Sequence, residues 1–279
     1  MNTFSKIMGG LLSVLMITSC EENNSGTNTD RLVVLEGYLY QGEPVDSIHL
    51  TQTASFESED TIYAPVTDAL VAIKWNDNQY VLQNIGNGYY SYTGSDLQVI
   101  EDNVYAISVE SNGREITSNT TVPGKPEGVL LSDNVLYVDT TFSFGPYGNT
   151  EVEGITVTWG NPDNDYFFIV IENTDPDAAD IVFGNGQFPG GMQPDGRMFR
   201  IRSEPFKNNS YTINSRSLEK YGEHRIKVYR VNQEYVDLYE NRQQDSRNLT
   251  EPLTNVVNGL GIFTAFNYQE AFFLVEKKQ

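Results

Sequence analysis

Short runs in which apolar and polar side chains alternate, each closed by Asn, Gly or Pro, set what this chain can fold into. Asp46-Ser47-Ile48-His49-Leu50-Thr51-Gln52-Thr53 sets Ile48, Leu50 and Gln52 against Ser47, His49 and Thr51, the period of a strand with one buried face. Leu32–Tyr40, Ala69–Trp75, Gln79–Leu82 and Gly86–Tyr92 read the same way. Val104–Glu110 and Arg114–Val122 flank Ser111-Asn112-Gly113, the chemistry of a hairpin turn. That density of strands and turns is the spacing of an immunoglobulin-like sandwich. The 17 Tyr and 14 Phe reinforce it, because aromatic residues favour strands.

Pro123-Gly124-Lys125-Pro126 cannot sit inside a sheet and marks a boundary. Beyond it Glu153–Trp159 alternates, and Tyr166–Glu172 is nearly continuously apolar, as a central strand should be. This strand–turn–strand with an inward Trp159 resembles the fibronectin-type sandwich. Further strands are expected at Arg197–Arg202, Ser210–Ile213, Gly222–Val231, Asn258–Phe266 and Ala271–Val275. Only Gln233–Gln243 breaks the pattern. Tyr235, Val236 and Tyr239 recur there at helical spacing and predict a short helix packed on the sandwich. The expected fold class is therefore all-β: two tandem β-sandwich domains, immunoglobulin- and fibronectin-like, with one short helix in the second. The expected order is residues 1–19 as a signal peptide, 20–31 as a flexible tether and 32–122 as the first sandwich. A hinge at 123–128 and a second sandwich at 129–279 follow.

The N-terminus specifies location. Lys6 precedes the apolar run Ile7–Ile17, which is shorter than the roughly 20 residues of a membrane-spanning helix. Ile17-Thr18-Ser19-Cys20 then resembles the bacterial lipobox, with Cys20 as the acylated first residue of the mature chain. Cys20 is the only cysteine, so no internal disulfide can form. Two or more acyl chains anchor stably to outer-membrane lipid, since each buried methylene contributes about 0.8 kcal/mol. Glu21 and Glu22 follow, and acidic residues in that place resemble the surface-export signal of Bacteroidetes lipoproteins. The expected location is the outer membrane, lipid-anchored and facing the cell surface.

The net charge of −20 argues against nucleic acid, whose phosphates require a basic surface. It equally argues against electrostatic attachment to anionic lipid.

The landmarks resemble a family in their order. They are the lipobox, the Leu32-Val33-Val34…Glu36-Gly37 strand, Asp68-Ala69-Leu70-Val71, Gly86-Asn87-Gly88-Tyr89-Tyr90 and Val122-Pro123. Late in the chain come the Glu234-Tyr235…Tyr239 helix and Pro252…Asn258-Gly259-Leu260-Gly261-Ile262-Phe263. Together they resemble the Bacteroidetes lipoproteins known as domain of unknown function 4249. That resemblance implies a surface or outer-membrane lipoprotein, often encoded beside TonB-dependent receptors, and carries no catalytic residues over.

Motifs for chemistry are sparse. There is no Gly-x-Ser-x-Gly elbow and no His-Glu-x-x-His pair. His49 and His224 are the two histidines, and both fall in expected strands, where a structural role outweighs metal ligation. No cofactor is expected except that Asp175, Asp177 and Asp180 offer calcium-type oxygen ligands at close spacing, as do Asp163 and Asp165. Gly184-Asn185-Gly186 with Gly190-Gly191 lacks the following helix of a phosphate loop. Trp75, Tyr89, Tyr90 and Tyr92 are candidates for stacking on a sugar or peptide, although alternation sends about half of such residues inward. Asp46-Ser47-Ile48, Asp60-Thr61-Ile62 and Asp139-Thr140-Thr141 resemble the Bacteroidetes O-glycosylation pattern, with Ser47, Thr61 and Thr140 as acceptors.

The leading expectation is a non-enzymatic accessory or ligand-capturing partner of a TonB-dependent transporter. The loop at 174–197 and the segment Gly259–Phe266 are its contact candidates. A structural or adhesin-like surface lipoprotein is the alternative, and a hydrolase of glycan or peptide the third reading.

Overall fold

The computed structural model describes residues 31–53, 63–140, 153–183, 200–242 and 254–279. Cys20, Thr61 and the glycine-rich run at 184–191 lie outside these residues. In the first half are β1 (Val33–Tyr40), β2 (Ile48–Gln52), β3 (Leu70–Trp75), β4 (Asn78–Gly86), β5 (Tyr89–Ser91), β6 (Val104–Ser111) and β7 (Arg114–Thr121). The second half holds β8 (Glu127–Leu131), β9 (Val135–Val138), β10 (Gly154–Gly160), β11 (Tyr166–Asn173), β12 (Arg200–Arg202), β13 (Ser210–Asn214) and β14 (Gly222–Val231). A single described α-helix, α1 (Gln233–Arg242), precedes the last strand, β15 (Leu260–Lys277). The protein is thus mostly β with one short helix, and that helix stands where the spacing of Tyr235, Val236 and Tyr239 predicts it.

Local chemistry explains the β6–β7 hairpin. Asn112 and Gly113 both have positive φ, 51° and 75°, which a two-residue turn matched to strand twist requires. The turn fixes the β6–β7 register from Ser111↔Arg114 to Val104↔Thr121.

The expected pair of tandem sandwiches is corrected by the strand pairing. One 12-stranded mixed sheet runs β12-β11-β14-β15-β1-β2-β5-β4-β3-β6-β7, with β9 also paired to β15, and a 3-stranded sheet is ordered β13-β10-β8. The physical reason is β15. Asn258–Phe266 and Ala271–Val275, expected as separate strands, are one strand of 18 residues. Its first part pairs in parallel with β1, from Val34↔Leu260 to Tyr40↔Phe266. Its second part pairs antiparallel with the whole of β14, from Val231↔Phe266 to Gly222↔Val275. A hinge therefore does not separate two closed sheets, because the last strand belongs to both halves.

Parity along β15 places the cores. Phe263 and Ala265 enter a core with Leu35, Ile48, Leu50, Ile73, Tyr90 and Ile107, which the first seven strands curl around. Phe273 and Val275, of the same parity, enter a second core with Trp159, Phe167, Ile169, Ile171 and Ile226 between the large and small sheets. Both cores consequently lie on one side of β15. The other side carries Phe266, which joins Phe168, Val170, Tyr229 and Val231 beneath Val236 of α1. β11 is buried on both faces, which is why its sequence is almost continuously apolar.

Polar contacts close the seam between the halves. The segment before β15 lies along β7: Thr117 and Val257 exchange backbone hydrogen bonds, and Ser118 Oγ donates to Asn255 O at 2.8 Å. Glu234 of α1 accepts from Thr120 of β7 at 2.8 Å and from Thr264 of β15 at 3.1 Å. Its place in the first turn of the helix suits the helix dipole.

Candidate functional site

The face of the large sheet opposite the two cores carries the site. β1 has a strictly alternating burial pattern. Val33, Leu35 and Leu39 turn to the core, and Val34, Glu36, Tyr38 and Tyr40 stand on the opposite face. Val34 and Glu36 line one groove, and Tyr38 and Tyr40 line another.

The first groove is open and has a volume of about 860 Å³. Val34 and Glu36 of β1, His49 and Thr51 of β2, and Tyr89 of β5 form its floor. Glu36 pairs with His49 and His49 with Tyr89 across the strands, so the three side chains stand in a row. The His49 imidazole stacks on the Tyr89 ring at 4.1 Å and 14°, with Nδ1 3.3 Å from Glu36 Oε2. Tyr63, 62% exposed, and Pro65 form one flank, with Asn87 beside them.

The second groove, of about 240 Å³, lies between the sheet and α1. Tyr38 and Tyr40 of β1, Phe168 and Val170 of β11, Tyr229 of β14 and Phe266 of β15 make its sheet side. Tyr235, Leu238 and Tyr239 of α1 make its helix side, and Arg202 of β12 also lines it. The rings hold one another in place. Phe168 stacks on Tyr229 at 4.6 Å and 2°, Tyr40 on Phe266 at 5.2 Å, and Tyr235 meets Phe266 edge-on at 5.1 Å. Such pairs are worth about 0.5–1.5 kcal/mol each beyond their area. Arg202 is exposed, and among the described residues no carboxylate forms an ion pair with it.

Beside this groove the same face becomes charged. Arg225 of β14 is 2.7 Å from Glu172 of β11 and 3.8 Å from Glu270 of β15. The Lys227 ammonium sits 4.2 Å from the centre of the Tyr268 ring. Tyr268 donates to Glu43 Oε1 at 3.0 Å, and burial, with that carboxylate, pushes its phenol up to about 12.

The sequence candidates separate in space. Of the four aromatics, Tyr89 lines a groove. Tyr90 is corrected to a core residue, 1% exposed, whose hydroxyl accepts from Ala69 N and donates to Val66 O. Trp75 stacks on Tyr105 and donates Nε1 to Asn103 at 3.1 Å. Tyr92 donates to Asp96 at 2.6 Å and meets Tyr80 edge-on. Neither lines either groove.

The calcium expectation is corrected as well. Asp175 accepts from the Asp177 amide at 2.9 Å, while Asp180 is paired with Lys220, so the three carboxylates do not converge. Asp163 and Asp165 are occupied by Arg230. Among the described residues no group of three or more His, Cys, Asp or Glu side chains could hold a metal ion. His224 is fully buried, stacked on Phe273 at 5.3 Å, with Nδ1 3.1 Å from Gly222 O. Burial holds its imidazole below the usual value.

Ser47 is half-buried just before β2, and Thr140 is half-buried beside Tyr221. Gly259–Phe266, expected at the contact surface, is largely interior: Leu260–Phe266 pair with β1, and Phe263 and Ala265 are fully buried, while Leu260 lines the first groove and Phe266 the second. The residues that build the second groove were not singled out by motif. The available signal was parity, since Tyr38 and Tyr40 alternate with Leu35 and Leu39 and so must face away from the core.

The chain belongs to the family described as Domain of unknown function (DUF4249), whose match covers residues 19–271. No curated protein matches it. Among solved structures it is similar to domains A168-A170 from titin, with 12% identity over 73% of this chain and 61% of that one, at a TM-score of 0.20. The chain thus spans less than two thirds of the titin fragment. It is also similar to a bacterial ice-binding adhesin of 1.5 MDa, with 12% identity, 89% and 66% coverage and a TM-score of 0.22. Chicken CNTN1 FN1-FN3 domains give 13% identity, 88% and 65% coverage and a TM-score of 0.19. At such scores the architecture rests on the strand pairing described above.

Proposed function

We propose that this member of the family is a lipid-anchored surface protein of the outer membrane that captures a ligand without transforming it. It would act as an accessory to a TonB-dependent transporter. The observation that carries the reading is the face described above, where two grooves share β1 as a wall and are lined by tyrosine and phenylalanine rings. Concave, ring-lined sites with a few polar groups are the usual form of ligand pockets. The rings are fixed on strands and on one helix, so the site is built before a ligand arrives.

Attachment is assigned to the lipid on Cys20. Among the described residues no helix is long and apolar enough to cross a membrane, and the charge of −20 disfavours adsorption to anionic headgroups. The proposal is tested in two steps. Cys20→Ala should move the protein from the outer-membrane fraction to the soluble fraction, and retention with unchanged processing overturns the anchor. Mild detergent extraction of the outer membrane should recover the wild-type protein with a transporter, and recovery of the protein alone overturns the accessory role.

A further inference from the structure

We propose that the open groove over β1 and β2 binds a short peptide through one arginine side chain, its stem laid on Val34 and Leu260 and its guanidinium on Glu36. This deepens the ligand-capturing reading and rests on it.

Strand register sets two rows of side chains on the groove floor. One row is polar: Glu36 of β1 pairs with His49 of β2, and His49 with Tyr89 of β5. The other is mainly apolar. Leu260 of β15 pairs with Val34 of β1, Val34 with Thr51 of β2, and Thr51 with Pro65. Val34 and Glu36 stand two residues apart on one face of β1, so the rows are about 7 Å apart. A ligand that spans them needs an apolar stem with a polar head at its end. Arginine and lysine have that form, since their methylene stems lie along apolar surface while the charged head stays in a polar one.

The open groups specify the head. Glu36 is 44% exposed, and His49 Nδ1 lies 3.3 Å from its Oε2. Among the described residues Oε1 has no partner, and no lysine or arginine lines the groove. On a chain of charge −20, a cation is the complement of this wall. One carboxylate in the lining gives a place to one cation, which disfavours a polyamine. A guanidinium is more weakly hydrated than an ammonium and stacks on rings, so it gains more in an open groove that holds Tyr63 and Tyr89.

The remaining polar groups suit the neutral part of a peptide. Among the described residues the hydroxyls of Thr51, Tyr63 and Tyr89 and the side-chain amide of Asn87 make no hydrogen bond. They are open to peptide amides. The volume of about 860 Å³ lies within the roughly 300–1,000 Å³ of small-ligand sites, room for a few residues and not for a folded domain. The peptide is not an added strand. β1 lies between β15 and β2, and β2 is covered on its other side by β5 and by Ala64 and Val66, which bond to Gln52 and Leu50.

The test is calorimetric titration of the full lipidated protein in detergent with a blocked pentapeptide of alanines around one central arginine. Its only charge is the guanidinium. The comparison ligand carries citrulline, the uncharged side chain of the same shape. The arginine form should bind about 2–5-fold more tightly, the range of a partly exposed charge pair, and the ratio should shrink toward one in about 0.5 M salt. Glu36→Gln should abolish the preference and leave the affinity for the citrulline form unchanged. Glu276→Gln, at the far end of β15, should leave the preference intact. Tyr63→Ala should weaken both peptides alike, and the melting temperature of each variant reports whether it is folded. Equal affinity for the two peptides, a preference that survives Glu36→Gln, one that Glu276→Gln also removes, or no binding of either overturns the proposal. Glu36-dependent binding of spermidine as tight as that of the arginine peptide does so too. If the peptides fail while the protein still co-purifies with a transporter, the ligand class falls and the capture reading stands.

Discussion

Gly37 and Phe263 face each other in the parallel pairing of β1 with β15, and the Phe263 ring fills the space that a side chain at Gly37 would need. A Cβ there would lie 2.7 Å from Phe263 Cδ2 and 3.2 Å from Ile48 Cδ1. Gly37→Ala should therefore destabilise the fold by about 1–3 kcal/mol, the ordinary cost of overpacking a core. Denaturant unfolding measures it, and an unchanged midpoint would contradict this register.

Asn267 sits midway along β15 between the two cores, 1% exposed. Its side-chain amide donates to Glu101 Oε2 and to Pro123 O, both at 3.0 Å. Asn267→Leu would leave these acceptors without their donor, at a cost of about 1–3 kcal/mol. Because β15 serves both halves, fluorescence and far-ultraviolet dichroism should report one coincident unfolding transition in the wild type. Two separated transitions would show that the halves are independent.

His224 gives the fold an acid sensitivity. Burial lowers its pKa below the ordinary 6.5, against the weaker opposing effect of its contact with Gly222 O. Its environment is Phe273, Asn173 and that carbonyl. The unfolded chain takes up the proton first as the pH falls. The contribution is complete above about pH 6.5 and shrinks below it, until the folded state is also protonated. Unfolding free energy measured from about pH 7 down to pH 5 should fall, and His224→Gln should flatten that slope. An identical slope in the variant would remove His224 as the cause.

Tyr268 acts at the other extreme. Burial first, then its hydrogen bond to Glu43, raises its pKa from 10.0 to about 12. The folded state holds this proton after the unfolded state has begun to lose it. The stabilisation is present below pH 10 and lost as the pH climbs toward 12. Spectrophotometric titration should show a late-ionising phenol that moves to lower pH in Glu43→Gln, while the raised phenols of Tyr92, Tyr105 and Tyr221 stay put. No change in the titration would detach Glu43 from the effect.

Much of the local structure was legible because it is written in neighbours. The alternation of Ile48 and Leu50, the Asn112-Gly113 turn and the helical spacing of Tyr235 and Tyr239 each concern a few consecutive residues. β8 and β9 were not expected, and β9, at 4 residues, is too short to show a period. The pairing of Val34 with Leu260 joins segments from opposite ends of the chain, and alternation carries no information about partners. That is why one shared sheet replaces tandem sandwiches. The site divides the same way. Tyr89 could be nominated from its aromatic strand. The second groove draws on β1, β11, β12, β14, β15 and α1, and arises only when those elements meet.

The place of β1 has a mechanical meaning. Under the proposed anchorage, a pull between membrane and captured ligand enters the domain at Val33, the first residue of an interior strand. The neighbours on its two sides, β15 and β2, would have to slide along it together before it could leave, instead of unzipping one bond at a time. Resistance to such a pull is set by the rate of unfolding rather than by its equilibrium. The anchor would thus load the strand that also walls both grooves, and the binding face would stay assembled under tension for as long as β1 holds.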